Sequence, residues 1–374
     1  MLRTGGRADG RAGEAGTGEA ALRPRPRAFS RPRALRFSLI PALAVALLAA
    51  FVLSVGKGAV AISPGQVAAI LLDRLGLGTD VAYGPQQAAV LWNIRLPRAV
   101  LAMLVGGALA ASGATLQGIF RNPLTDPGLI GVASGAALGA VASIVLGIGF
   151  LGVATLPVAA FAGGLAATLC VYLMARRGGR TEVVTLLLTG IALNAIAGAA
   201  TGFLIFIATD AQLRSVVFWS LGSLGGATWR NLSVAGPIIV AGLLILPRWG
   251  RDLNLLTLGE REARHLGVET ERVRLILIVL TALLTGAAVA VCGTIGFVGL
   301  VVPHLIRLIA GPDHRVLIPA SALGGALLVT LADLAARTVA APVEVPLGVI
   351  TALSGGPFFL WLLYRTRREH GGWA

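Results

Sequence analysis

Ten stretches of this chain are apolar over a length that fits the hydrocarbon layer of a membrane. The first, residues 35–55, reads LRFSLIPALAVALLAAFVLSV, with Arg36 its one charge. The others fall near residues 97–119, 129–149, 155–175, 183–207, 232–247, 273–292, 295–309, 316–336 and 346–364. A run of about 17–25 such residues crosses the hydrocarbon as a helix. No water is present there to pair a free amide or carbonyl, so open strands are excluded. The chain is therefore expected to fold as an all-α membrane protein of ten transmembrane helices.

Glycine supports a closely packed bundle. There are 50 glycines in 374 residues, about 13% against a usual ~7%. Gly131, Gly135 and Gly139 repeat, inside an apolar run, the small-xxx-small spacing that lets helix backbones approach. Residues 1–34 are rich in Arg, Gly, Ala and Pro, too polar to pack a core, and read as a disordered basic tail. A basic tail before an apolar run resembles a signal peptide, but residues 35–55 exceed a signal core and read as the first span. After that span, Ser63, Pro64 and Gln66 carry the signature of a capped amphipathic helix.

Charge sets the orientation. With the N-terminus in the cytoplasm, the inner segments hold 24 of the 31 Lys and Arg, and the outer segments hold seven: Lys57, Arg74, Arg95, Arg98, Arg214, Arg230 and Arg337. This is the positive-inside pattern, and it leaves residues 367–374 as a short cytoplasmic tail. One inner loop stands apart. Residues 258–274, LGEREARHLGVETERVR, carry eight charges in a chain only 13% charged. Their first part reads as a short helix ended by Gly267, with Glu260 and Arg264 spaced to pair and Leu255, Leu256, Leu258, Ala263 and Leu266 as an apolar side. Such a helix either lies at the headgroups or plugs into a soluble partner; the residues alone leave both open.

Several function classes lack their chemistry. The histidines, His265, His304, His314 and His370, all fall at inner span ends or loops, and no paired carboxylates or HExxH spacing appear. Cys170 and Cys292 lie in separate spans and form neither a disulfide framework nor a metal spacing. The net charge of +14 sits in loops between spans, not on a soluble basic face, which argues against nucleic acid. Asp333 reads as a structural partner of Arg337, not as a proton relay. The lone lysine, Lys57 in SVGKGA, does not make a phosphate-binding loop, so active transport would need an ATPase on another chain. An ATP-independent carrier or channel is the reading of a different class; scarce intramembrane charge argues against it.

Longer motifs carry a resemblance. RLPRAVLAMLVGGALAASGATLQGIFRNPLTDPGLIG, LLLTGIALNAIAG, LTLGEREARHLGV, GTIGFVGLVVPHLIRLIAGPDHRV and EVPLGVITALSGGPFFLWLL occur in order over residues 38–366. They resemble the FecCD-type permeases of ABC importers for iron-siderophores, haem and cobalamin. The resemblance implies the type II importer permease fold, with ten spans per subunit in residues 35–366. It implies assembly with a second copy of the chain, two ATPase subunits that bind ATP and Mg inside, and a periplasmic substrate-binding protein outside. The location implied is the bacterial inner membrane.

The same resemblance implies roles. Residues 252–267 correspond to the coupling helices, with Gly259, Glu260, Ala263, Arg264, His265, Leu266 and Gly267 meeting the ATPase. Arg95, Arg98 and Arg337 correspond to a basic rim that docks the binding protein. The inner gate falls at Val183 and Val184, whose apolar side chains carry over its location but not its chemistry. The fifth and tenth spans line the path, where Thr189 and Asn194 are among the few polar groups. No catalytic or metal-ligating set is expected, nor any cofactor on this chain. The cargo then travels as an intact chelate. TDAQLRSVVFWSLGSLGGATW looks more like haem permeases, with Arg214 placed to meet a propionate, although cobalamin relatives tolerate a similar arginine and a ferric siderophore stays open.

Overall fold

The computed structural model describes residues 33–58, 60–178 and 180–370. Residues 1–32, 59, 179 and 371–374 lie outside it, and with them most of the two tails expected at 1–34 and 367–374.

Helix α1 (Arg33–Gly56) is followed by the short α2 (Pro64–Arg74) and α3 (Pro85–Val90). A π-helical turn over Leu91–Arg95 carries α3 without a break into α4 (Leu96–Phe120). Then come α5 (Val132–Val145), α6 (Thr155–Ala175), α7 (Val183–Phe206), α8 (Asp210–Ser220) and α9 (Trp229–Ile245). Two short helices, α10 (Gly250–Leu258) and α11 (Glu260–His265), precede α12 (Thr270–Cys292), α13 (Val298–Ala310), α14 (His314–Ala336) and α15 (Leu347–His370). Each of the ten expected spans coincides with one helix. Seven are long and apolar enough to cross a membrane among the described residues. The other three are short: 14 residues in α5, 13 in α13 and the apolar part Leu347–Trp361 of α15. At 1.5 Å per residue, 13 residues reach only about 20 Å, less than the ~30 Å hydrocarbon layer.

The centre of the bundle is α4. Of its best apolar window 83% is buried, against 17% for α1 and α7. Its sequence VGGALAASGATLQG offers small residues on every side, and α9, α12, α13 and α14 pack around it. The spacing read at Gly135 is used in the same way between α5 and α6: a Cβ there would stand 2.4 Å from the Gly163 carbonyl oxygen. Helix α2 starts as its sequence indicates, with the Gln66 amide donating to Ser63 Oγ at 3.2 Å and the Ser63 amide to Gln66 Oε1 at 3.0 Å.

Two local features differ from the expectation. The linker between α6 and α7 is a small antiparallel hairpin, β1 (Arg176–Arg177) and β2 (Arg180–Thr181), with Arg176 opposite Thr181. The island is not one helix but two. Gly259 sits between them at φ 147°, ψ 151°, a conformation open to glycine alone, and a Cβ there would strike the Glu262 carboxylate. The backbone therefore turns between α10 and α11.

Gly135→Val is expected to force α5 from α6, at a cost of about 1–3 kcal/mol or more. A lower apparent thermal midpoint of the purified protein in detergent would show it; an unchanged midpoint would mean that the close approach is not needed.

Candidate functional site

The charged island is anchored on one side and open on the other. Leu253, Leu256 and Ala263 are fully buried and hold α10 and α11 against the bundle. Leu258 and Leu266 stand 66% and 60% exposed. The Val268 amide donates to the Ala263 carbonyl and the Gly267 amide to the Arg264 carbonyl, both at 3.0 Å, which closes α11 as its glycine suggested. Glu260 pairs with Arg264 at 3.3 Å, the i, i+4 contact read from sequence, and with the buried Arg274. Its carboxylate thus faces its own subunit, while Arg264 and His265 remain exposed.

Sequence reasoning missed the clasp behind α10. Asn254 Nδ2 donates to Asp313 Oδ1 at 2.7 Å, and its Oδ1 accepts the His314 amide at 2.9 Å. That fixes α10 to the start of α14. Asp313 also receives Arg315, which holds its carboxyl below the usual carboxylate range. An Asp followed by a basic residue at a helix start was the available signal.

Arg95, Arg98 and Arg337 converge, although α4 and α14 bring them from distant parts of the chain. Arg98 Nε lies 2.9 Å from Asp333, and its Nη1 bridges both oxygens of Glu344 at 2.9 and 3.0 Å. Arg337 Nε is 3.3 Å from Asp333, as the i, i+4 spacing indicated, while its Nη1 donates to the Lys57 carbonyl at 2.9 Å and its Nη2 to Ser54 Oγ at 2.7 Å. Arg95 donates to the carbonyls of Val55 and Gly56 at 3.0 and 2.9 Å. The three arginines line a cavity of about 970 Å³ together with Lys57 and Glu344. They do not form an open rim: Arg95 and Arg98 are 5% and 7% exposed. A desolvated guanidinium needs acceptors, and the last turn of α1 and Lys57 after it supply carbonyls that sequence alone did not reveal.

The expected path residues separate. Val184 is 67% exposed at the start of α7, on a face continued by Leu188, Ile191, Phe203 and Phe206. Val183 and Thr189 are half-buried. Asn194 turns away from that face: its Nδ2 donates to the Gly128 carbonyl at 3.1 Å and its Oδ1 accepts from Ser134. Arg214 is exposed on α8 and, among the described residues, stands in no ion pair, so the Asp210–Arg214 pair that spacing allows is not made.

Over residues 46–365 the sequence matches the FecCD transport family. The chain belongs to that family. A hemin transport system permease protein from Yersinia pestis is 50% identical over 75% of this chain and 85% of its own length. A cobalamin import system permease protein from Halobacterium salinarum is 47% identical, over 75% of this chain and 74% of its length. A vitamin B12 import system permease protein from Escherichia coli O9:H4 is 41% identical, over 86% and 93%. Among solved structures, an inward-facing conformation of a metal-chelate type ABC transporter superposes with a TM-score of 0.77 at 34% identity, covering 88% of this chain and 99% of the other. The FecCD chain described here is thus an all-α transporter permease whose fold matches that of the solved transporter.

Asp333 is the acidic centre of the arginine cluster, 1% exposed between two guanidiniums. Asp333→Ala is expected to destabilise the protein by roughly 3–5 kcal/mol, because it leaves buried cations uncompensated. A thermal midpoint equal to wild type would show that Glu344 and the carbonyls suffice.

Proposed function

We propose that this chain is the permease of an ATP-driven importer that passes an intact iron chelate, with haem as the favoured cargo, through the axis between two copies. The observation that carries the reading is the island. Its buried side is fixed by Ala263, Leu253 and Asn254, yet it keeps Leu258 and Leu266 exposed, which suits a plug for a soluble subunit. ATP and Mg belong to that ATPase partner. The positive-inside pattern supports a cytoplasmic island and cytoplasmic termini in a bacterial inner-membrane protein. The periplasmic binding protein would then meet the opposite end, where Lys57, Arg95, Arg98 and Arg337 outnumber Asp333 and Glu344 around one cavity. Because Arg95 and Arg98 are largely covered, docking there would act through field and through exchange of the half-exposed Glu344, whose side chain is 48% exposed.

Two features favour haem. Arg214 is exposed and free to meet a propionate, and the hemin permease relative is half identical. A corrinoid is the second reading, supported by the cobalamin permease relative at 47% identity. Reconstitution into vesicles with the cognate ATPase and binding protein, offering haem, cobalamin or a ferric siderophore in turn, tests the cargo. Haem is expected to stimulate ATP hydrolysis and to enter; entry of cobalamin alone would replace the haem reading.

Leu258→Asp with Leu266→Asp is expected to leave the dimer folded while the ATPase binds at least about a hundredfold more weakly, since each leucine contributes roughly 1.5–3 kcal/mol when buried. Unchanged co-purification of the ATPase would remove the island from the interface. Arg214→Ala is expected to slow haem uptake roughly two- to fivefold, the range of an exposed ion pair, with Lys restoring part of the rate. Uptake equal to wild type would leave Arg214 without a cargo role.

A further inference from the structure

Arg274 is a buried cation beside exposed ones. Its side chain is 2% exposed, whereas that of Arg272, two residues earlier on α12, is 72% exposed. The guanidinium reaches three elements. Its Nη1 donates to the Thr181 carbonyl at 2.6 Å and to Glu271 Oε1 at 3.1 Å, and its Nη2 donates to Glu260 Oε1. The other oxygen of Glu271 accepts the Thr181 amide at 3.0 Å. Both backbone polar groups of Thr181 are therefore held from α12, and the same arginine holds the first residue of α11.

Thr181 is the last residue of β2, and α7 begins two residues later at Val183. The hairpin has two residues per strand and little pairing of its own, so its place depends on what grips Thr181. The direct chain link from α11 to α12 runs through Gly267 at φ +85° and is a weak lever. A planar guanidinium with donors in fixed directions is a stiff one. Buried between Glu260, Glu271 and the Thr181 carbonyl, it gives up a charge-assisted bond whenever one of the three moves away, a situation that fixes register more than it adds stability.

We propose that Arg274 is the positioning residue that joins the island to the start of α7, so that a displacement of α11 is delivered through the hairpin to Val183 and Val184. The inference rests on the reading that α11 seats an ATPase. It assigns to one side chain the connection between the docking surface and the apolar face of α7.

The test uses the full complex with its ATPase in vesicles, with a spin label at Val184→Cys, a position already 67% exposed, on both copies. Arg274→Met with Glu271→Gln removes the joint without leaving a buried charge unmatched, and Glu260 keeps Arg264 as partner. The expected result is an ATPase that still co-purifies and hydrolyses ATP, while the ATP-dependent distance change at position 184 disappears and transport per ATP falls roughly tenfold or more. Arg274→Lys, which keeps charge but loses the fork, should fall between; should the double variant not assemble, that variant decides on the same two readouts. A full distance change with normal coupling overturns the proposal. So does loss of ATPase binding in step with transport, since Arg274 would then only shape the island. A separate arm guards the underlying reading: if Leu258→Asp with Leu266→Asp keeps its ATPase, the reading fails, and this inference with it.

Discussion

A peptide group in a membrane protein must find its partner inside the chain, and the rest of this structure is arranged around that need. Long helices meet it alone. The irregular stretches between them pair with one another. The Ser223 amide donates to the Cys292 carbonyl at 2.7 Å, the Leu347 amide to Gly222 at 2.9 Å and the Gly348 amide to Leu221 at 3.0 Å. The stretches after α8, after α12 and before α15 thus interlace into one hydrogen-bonded knot. An orphan group there would cost several kcal/mol, so the knot fixes where α13 and α15 begin. Small residues along α4 then let its neighbours close around it.

The same rule governs the charges. The buried guanidiniums at either end find acceptors for most of their N–H groups: carbonyls for Arg95, carboxylates for Arg98, both for Arg274. Among the exposed ones, Arg272 meets only the equally exposed Glu269 at 3.5 Å, and Arg214 stands in no ion pair among the described residues. The two ends therefore differ in kind. One shows leucines on a rigid mount, the other a basic cavity behind a carboxylate that solvent can reach.

What the sequence made legible was local. Ten apolar runs, the Ser63–Gln66 box and the Gly135 spacing each depend on residues a few positions apart, and each is present. The Asp333–Arg337 pair was legible for the same reason, being one helical turn. Contacts across the chain were not: Arg98 finds Glu344 at a separation of 246 residues, and Arg274 finds Thr181 at 93. Family resemblance singled out these surfaces but not the burial of their residues. Arg95 turned out to face inward because carbonyls at the end of α1 accept its N–H groups, Glu260 because Arg274 donates to it, and Asn194 because Ser134 on α5 and the Gly128 carbonyl both meet its amide. The break at Gly259 was hidden because helical periodicity continues through it.

The interlaced knot also sets a schedule for biogenesis. Helices leave the ribosome in chain order, and early segments begin to fold before late ones exist. The carbonyls of Leu221 and Gly222 do not meet their chain donors until residues 347 and 348 have been made, and Arg98 has no acid to hold until Asp333 arrives, 235 residues later. The first nine spans must therefore wait in the bilayer as a loosely joined set, with polar groups borrowing water or headgroups. The last span is then the closing piece. A chain cut short before residue 347 keeps nine of its ten spans, yet it lacks the donors that the Leu221 and Gly222 carbonyls meet in the finished fold. Until that last span arrives, the number of spans inserted is no measure of how much of the fold is closed.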